Sequence, residues 1–180
     1  MEKMVILDRD GVINHLQEEG ITTAEGWDPI SGSIEAINRL KKAGYLVTIA
    51  SNHTGIAQGY YSEADLHKMH DKMQRMLSIR GASVDGIFYC LHGPEANCIC
   101  RKPKPGMLYQ IARKFDIDLS NTAVVGDDIS DICAANIANA KPVLVRTGKG
   151  EYTMQHFPES LDVPVYDDLA HFVRETLRRR

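Results

Sequence analysis

Val5-Ile6-Leu7-Asp8-Arg9-Asp10-Gly11 is the stretch on which the fold turns. Three apolar residues break off into two carboxylates and a glycine. A run this short and this apolar reads as a strand buried on both faces. Asp8 and Asp10 leave its carboxyl end one residue apart, so both can turn towards the same site. Taken alone, Asp-Gly after a strand suits a plain turn equally well.

Working outward, strands and helices alternate. Residues 12 to 32 read as a long irregular loop with Gly20, Gly26, Pro29 and Gly32. Ile34, Ile37 and Leu40 fall at helical spacing, and Gly44 stops that helix. Tyr45 to Ala50 is a second strand. Ser62-Glu63-Ala64-Asp65 resembles a capping box with a shortened acid, and Leu66, Met69, Met73, Met76 and Leu77 mark the buried stripe of the helix it opens. Ile87 to Tyr89 is a third strand. Pro105 opens a helix through about Phe115, where proline is favoured. Thr122 to Val125, a helix from Ser130 to Asn139, Val143 to Val145 and a helix from Leu169 to Leu177 complete the pattern.

This alternation implies a parallel sheet covered on both faces. The expected class is α/β, a Rossmann-like three-layer sandwich with a mainly parallel sheet. With 180 residues and no repeat, linker or low-complexity segment, the expectation is one domain over residues 1–180. A formal net charge of -3 excludes a strongly basic surface for nucleic acid or an acidic membrane. The cluster Arg178, Arg179, Arg180 reads as a solvated helix end or a partner site. The run Met4 to Leu7 is too short for a signal peptide or membrane span, so a cytoplasmic location is expected. The protein is expected to act as a monomer.

In such folds ligands bind beyond the carboxyl ends of the strands. Four segments lie there: Asp8 to Gly11, Ser51 to Gly55, Cys90 to Lys102 and Gly126 to Asp131. Together they could perform phosphoryl transfer, which needs a nucleophile, cations on the phosphoryl oxygens and a proton donor for the leaving oxygen. Asp8 could attack and form an aspartyl-phosphate. Asp10 could protonate the leaving alkoxide, then deprotonate the attacking water. Ser51-Asn52-His53-Thr54-Gly55 could hold phosphate oxygens, or be a plain loop. Lys102, beside Arg101, could act as a point charge on the phosphoryl group, or the two could be a solvated pair. Asp127 is the natural partner of Asp8 for a magnesium ion. Helix capping is the other reading for Asp128 and Ser130.

Cys90-Leu91-His92 and Cys98-Ile99-Cys100 place three thiols and an imidazole in one loop over residues 90–102. That set makes a closed tetrahedral zinc site with no open position, hence a structural one that pins Arg101 and Lys102. A reduced cluster without metal is the alternative. Cys133 lies apart and reads as a small buried residue.

Jointly the four segments resemble the haloacid dehalogenase superfamily of phosphatases. Val5 to Gly11 matches its first motif, Ser51 its second, Lys102 its third, and Gly126, Asp127 and Asp131 its fourth. The resemblance implies that the Asp8 carboxylate and the Asp10 backbone carbonyl bind magnesium along with Asp127. It implies substrate phosphate contacts from Ser51, Asn52, His53 and Thr54. It gives Arg101 to substrate recognition and places sugar contacts in the loop after Asn14. The zinc loop is similar to that of two phosphatase groups within the superfamily, one removing the 7-phosphate of a heptose bisphosphate, the other acting on histidinol phosphate. Lys102-Pro103-Lys104-Pro105-Gly106-Met107 and Val145 to Gly150 look like the first group, so the expected substrate is a small phosphorylated sugar.

Two departures stand out. Ser51-Asn52-His53-Thr54-Gly55 replaces the family's usual Thr-Asn-Gln-Ser-Gly. A tyrosine usual near Gly20 is missing, which leaves open whether Trp27 takes its place. Between Asp8 and Ser51 there is room for a loop and a core helix but no inserted domain, so no large cap is expected and the site should be open.

Overall fold

Strand β1 (Lys3–Leu7) buries side chains on both faces, as its unbroken apolar run requires. Val5 and Leu7 point into one apolar cluster, Met4 and Ile6 into a second on the opposite face. The computed structural model describes residues 3–17, 20–158 and 162–178, so Arg179 and Arg180 of the terminal basic cluster lie outside the described residues.

Six strands form one parallel sheet in the order β3-β2-β1-β4-β5-β6. They are β1, β2 (Tyr45–Asn52), β3 (Gly86–Cys90), β4 (Ala123–Gly126), β5 (Lys141–Val145) and β6 (Val165–Tyr166). The sequence pattern gives five of them. The sixth is a two-residue edge strand, too short for any periodicity to register. Ser51 and Asn52 also prove to be strand residues, paired with Tyr89 and Cys90.

Helices α1 (Ser33–Lys42), α3 (Glu63–Ile79) and α7 (Leu169–Arg178) cover the face that carries Val5 and Leu7. Here Ile37, Leu40, Met69, Met73, Leu77, Phe172 and Val173 are buried. Fully burying an aliphatic side chain of this kind stabilises by about 1.5–3 kcal/mol. Helices α4 (Gly106–Phe115) and α5 (Ile129–Ile137) cover the other face through Met107, Leu108, Ile111, Ala134 and Ala135. Two short helices, α2 (Thr54–Ala57) and α6 (Gly150–His156), follow strand ends and carry too few turns for a periodic signal.

The capping box at α3 is real. Ser62 Oγ accepts from the Asp65 amide, and the Asp65 carboxylate accepts from the Ser62 amide. Pro105 is the residue before α4 rather than its first helical position. Met76 is half-buried, and so is Cys133, which the sequence placed in the core.

The loop after β1 folds back on itself and does not form a separate lobe. Asn14 bridges to Asp10 and Pro29, and the His15 amide donates to Asp28 O. Lys72 Nζ donates to Ala24 O and Trp27 O, tying the loop to α3. Trp27 is fully buried in the core, so it cannot replace a missing aromatic at a ligand site. None of the helices in the described residues is long and apolar enough to cross a membrane.

Candidate active site

Strand order reverses between β1 and β4, because β1 pairs with β2 on one side and β4 on the other. At such a switch point the loops after adjacent strands diverge and leave a crevice. Asp8 follows β1 and Asp127 follows β4, with the Asp8 amide donating to Val125 O across the pair. A cleft of about 450 Å³ opens there, lined by the polar residues Asp8, Asp10, Asn52, Thr54, Arg101, Lys102, Asp127, Asp128, Ser130 and Lys149 and by Leu16, Pro94 and Pro103.

Lys102 is the buried cation of the site, only 4% exposed. Its ammonium lies 3.0 Å from Asp8 Oδ1, 2.6 Å from Asp131 Oδ1 and 2.8 Å from Ala50 O. Three donors meet three acceptors, so the charge is fixed in place. Burial works against that charge, yet Asp131 and Asp8 outweigh it and raise the Lys102 pKa. Asn52 holds the lysine's backbone: its Nδ2 donates to Lys102 O and its Oδ1 accepts from Lys102 N.

Asp8 Oδ1 accepts from the Arg9 amide and from Lys102. No hydrogen bond to Oδ2 is found among the described residues, so that oxygen is available to the cleft. Burial pushes the Asp8 carboxyl up to about 7; Lys102 opposes this, and Asp131 and Asp10 add to it. Asp127 is also raised well above the usual carboxylate range, by burial and then by Asp8 and Asp131. Three carboxylates therefore converge with one lysine among them, and one oxygen from each lies within 4.8 Å of the other two. Asp131 is committed to Lys102 and to the Asp128 amide. The pair left facing the cleft is Asp8 and Asp127. A hard divalent cation is the natural relief for their repulsion. The Asp10 carbonyl, which takes no hydrogen bond among the described residues, is a third oxygen for it.

Asp127 is placed by two glycines. A Cβ at Gly11 or at Gly148 would lie 2.0 Å from Asp127 Oδ2, and both residues have positive φ, +85° and +60°. Lys149, next in the chain, donates its amide to the same oxygen. Gly11→Ala combines backbone strain with a steric collision, so a loss of about 2–4 kcal/mol is expected. Urea unfolding of the two forms measures it; an unchanged midpoint would contradict this packing.

Arg9, the residue between the two acids, is completely buried and grips Asp10 through Nε and Nη2 at 2.8 and 3.0 Å. Burial would raise the Asp10 carboxyl, but the Arg9 guanidinium and the Asn14 amide outweigh it and hold it low. Nothing in residue order marks this fork, because a residue between two carboxylates carries no pattern of its own. Lys149 was missed as a cleft residue for a similar reason: β4 and the strand after it must pair before it arrives there. Its ammonium lies 3.2 Å from Asp128. Asp128 and Asp131 also form the capping box of α5, so the capping reading of that segment holds as well.

His53 departs from expectation. It is 1% exposed and does not line the cleft. Its Nε2 is 2.8 Å from Ser51 Oγ, its Nδ1 is 3.1 Å from the Tyr61 hydroxyl, and its amide donates to Cys90 O. Every polar group it could offer a ligand is already engaged, which corrects its assignment as a substrate contact. Ser51 is equally buried, and its hydroxyl is held by that imidazole. Thr54 does reach the cleft, where its hydroxyl accepts from Arg101 Nη1 at 2.7 Å.

Beside the cleft, Cys90, His92, Cys98 and Cys100 point their sulfurs and Nδ1 at one another, with separations of 3.2 to 3.6 Å along the close pairs. All four cysteines are free thiols. A tetrahedron of thiolates around zinc has edges of about 3.8 Å, so this donor set fits that ion.

A HAD-hydrolase-like family model matches residues 99–172. Over nearly the whole chain the sequence is similar to the D-glycero-beta-D-manno-heptose-1,7-bisphosphate 7-phosphatase of Pseudomonas putida, with 48% identity covering 97% of this chain and 99% of the relative. The fold matches the crystal structure of D,D-heptose 1,7-bisphosphate phosphatase from B. bronchiseptica complexed with magnesium and phosphate, with a TM-score of 0.94, 42% identity and 99% of both chains covered. The corresponding enzyme from Burkholderia thailandensis matches with a TM-score of 0.75 and 37% identity over 98% of this chain and 99% of that one. A switch-point cleft with its aspartates and buried lysine, and this full-length similarity, lead to one conclusion: the chain belongs to the haloacid dehalogenase-like hydrolases, in the family of the heptose-bisphosphate phosphatases.

Proposed function

We propose that this protein removes the 7-phosphate of D-glycero-D-manno-heptose 1,7-bisphosphate through an aspartyl-phosphate on Asp8, as a single phosphatase domain serving nucleotide-activated heptose synthesis. The observation that carries the chemistry is Asp8 standing between buried Lys102 and Asp127 at the floor of one open cleft. The relatives' names supply the substrate.

In the first half-reaction Asp8 Oδ2 attacks phosphorus and the sugar oxygen leaves. Asp10 delivers the proton that this oxygen needs. Lys102, with its donors already engaged, balances the phosphoryl charge as a fixed point charge. In the second half, ionised Asp10 takes a proton from the water that attacks phosphorus, and inorganic phosphate departs. The Arg9 fork favours that ionised form in the resting state. The proton taken from water restores the acid for the next leaving oxygen, and Asp10 can exchange it with solvent because its side chain is 27% exposed. Ser51 and Thr54 supply hydroxyls to the phosphoryl oxygens. Arg101, braced on Thr54 and His92 O, meets the rest of the substrate.

Magnesium, held by Asp8, Asp127 and the Asp10 carbonyl, would neutralise charge on the phosphoryl oxygens and lower the barrier to anionic attack. Zinc, held by Cys90, His92, Cys98 and Cys100, would fix the segment that carries Arg101 and Lys102.

The test is a side-by-side comparison of kcat/KM for the heptose bisphosphate and for histidinol phosphate with magnesium present. The heptose substrate is expected to win by at least about tenfold, the scale set by one unmatched polar contact. A preference for histidinol phosphate would overturn the substrate while leaving the chemistry standing.

A further inference from the structure

Behind the cleft lies a chain of three side chains of which the reaction draws on Ser51 alone. Tyr61, just before α3, places its hydroxyl 3.1 Å from His53 Nδ1, and His53 Nε2 lies 2.8 Å from Ser51 Oγ. A neutral imidazole has one N–H and one lone pair, so the two contacts must run in the same direction along the chain. Only one direction suits phosphate binding. If Nε2 carries the proton, it donates to Ser51 Oγ, and the serine's own hydrogen is free for a phosphoryl oxygen. If Nδ1 carries it, Ser51 spends its hydrogen on His53 and offers an anion nothing but lone pairs.

We propose that Tyr61 is a positioning residue: its hydroxyl donates to His53 Nδ1, fixes the Nε2–H tautomer and so leaves the Ser51 hydroxyl as a donor to the phosphoryl group. This rests on the reading of Ser51 as a phosphoryl contact given above. A phenol is a stronger hydrogen-bond acid than an aliphatic hydroxyl, so Tyr61 is the natural donor at the outer end and Ser51 the natural acceptor at the inner end. The imidazole also has to stay neutral for the relay to hold. Burial lowers its pKa to about 3, assisted by Arg9, His70 and Lys102 and opposed by Asp10. The ring is confined as well: His70 and Tyr89 meet it edge-on, with centroids 6.0 and 6.3 Å away. Tyr61 is seated by Gly55, where a Cβ would come within 2.4 Å of its Cε1. A larger residue there would push the phenol away from Nδ1.

The direct measurement is a long-range 1H–15N spectrum of the full-length protein near neutral pH, with His53 assigned by its disappearance in His53→Gln. The expected result is a proton on Nε2 and a bare Nδ1. A proton on Nδ1 overturns the proposal and leaves the phosphatase reading untouched. Kinetics give a second readout. Tyr61→Phe keeps the ring and removes one neutral hydrogen bond, so kcat/KM is expected to fall about tenfold, with a matching rise in the inhibition constant of inorganic phosphate. His53→Gln, which keeps an N–H directed at Ser51, is expected to retain several-fold more activity than His53→Leu. Full activity in Tyr61→Phe, or equal losses in the two His53 variants, would also overturn the relay. Ser51→Ala tests the reading beneath it: if that variant turns over normally, Ser51 is no phosphoryl contact and the relay has no function to serve, whichever nitrogen carries the proton.

Discussion

Asp8→Asn is expected to reduce magnesium-dependent phosphate release by about five orders of magnitude, the scale seen when a nucleophile is removed from an otherwise intact site. An amide has nearly the same shape as the carboxylate but cannot form the acyl phosphate. The Arg9 amide can still donate to its oxygen, so the backbone after β1 keeps its anchor. Retained turnover in a folded sample would sink the nucleophile assignment.

The same variant makes a prediction about stability. In the metal-free protein the folded-state pKa of Asp8 is raised from 3.8 to about 7. A raised carboxyl contributes stability while it is protonated, and that contribution is lost as pH rises through the folded value. The metal-free parent should therefore lose thermal stability as pH rises from about 4, where the unfolded carboxyl ionises, to about 7, where the folded one does, and level off above that. Asp8→Asn should lose less over that window, because its side chain cannot ionise. Magnesium should restore the parent at the upper end of the range and help the variant much less. Melting curves of both forms across pH, with and without magnesium, test this. A metal-free parent that lost no stability relative to Asp8→Asn between about pH 4 and 7 would show that the three carboxylates are not in conflict.

Much of the framework was legible because it depends on neighbours in sequence. The buried strand before Asp8, the helical spacing of Ile37 and Leu40, and the Ser62–Asp65 cap are local patterns, and local physics sets them. The order of the four chemical segments was legible too, since strand ends in a parallel sheet all face one way. What escaped depends on chain folding through space. That Lys102 would neutralise Asp131 as well as Asp8 requires the loop from Cys90 to Lys102 to lie over the start of α5. Arg9 looked like a spacer and turned out to be the fork that sets the charge of Asp10. His53 looked like a ligand group because it stands in a phosphate-binding segment. Strand pairing extends β2 past Ser51, and that turns the imidazole inward towards Tyr61 and His70. A histidine next to a buried serine could have been a warning, but the burial itself was not visible from residue order.

Breaking the Cys90–His92–Cys98–Cys100 cluster should have the second-largest effect, through geometry and not through direct chemistry. The purified protein is expected to carry about one zinc per chain, since all four donors are already gathered. In Cys100→Ser the hydroxyl is a poor zinc ligand, and the loop from Cys90 to Lys102 loses its cross-link. One apolar cluster and most of the other lie outside this loop, so the loss should be well below that of a domain that folds around its metal. About 3–5 kcal/mol is a reasonable scale, or roughly 10 °C in Tm for a chain of this size. The kinetic consequence is sharper. Arg101 directly follows Cys100, and Lys102, one residue on, is held to Asn52 by its backbone and to Asp8 and Asp131 by its ammonium. A loop freed at Cys100 lets that lysine drift, and a displacement on the order of 1 Å can cost about a hundredfold in rate. Cys100→Ser should therefore lower kcat by about two orders of magnitude and lose bound zinc, while Cys133→Ser, outside the cluster, should do neither. If Cys100→Ser lost its zinc yet kept full kcat, Lys102 would have to be held by Asn52, Asp8 and Asp131 alone, and the loop would have no part in placing it.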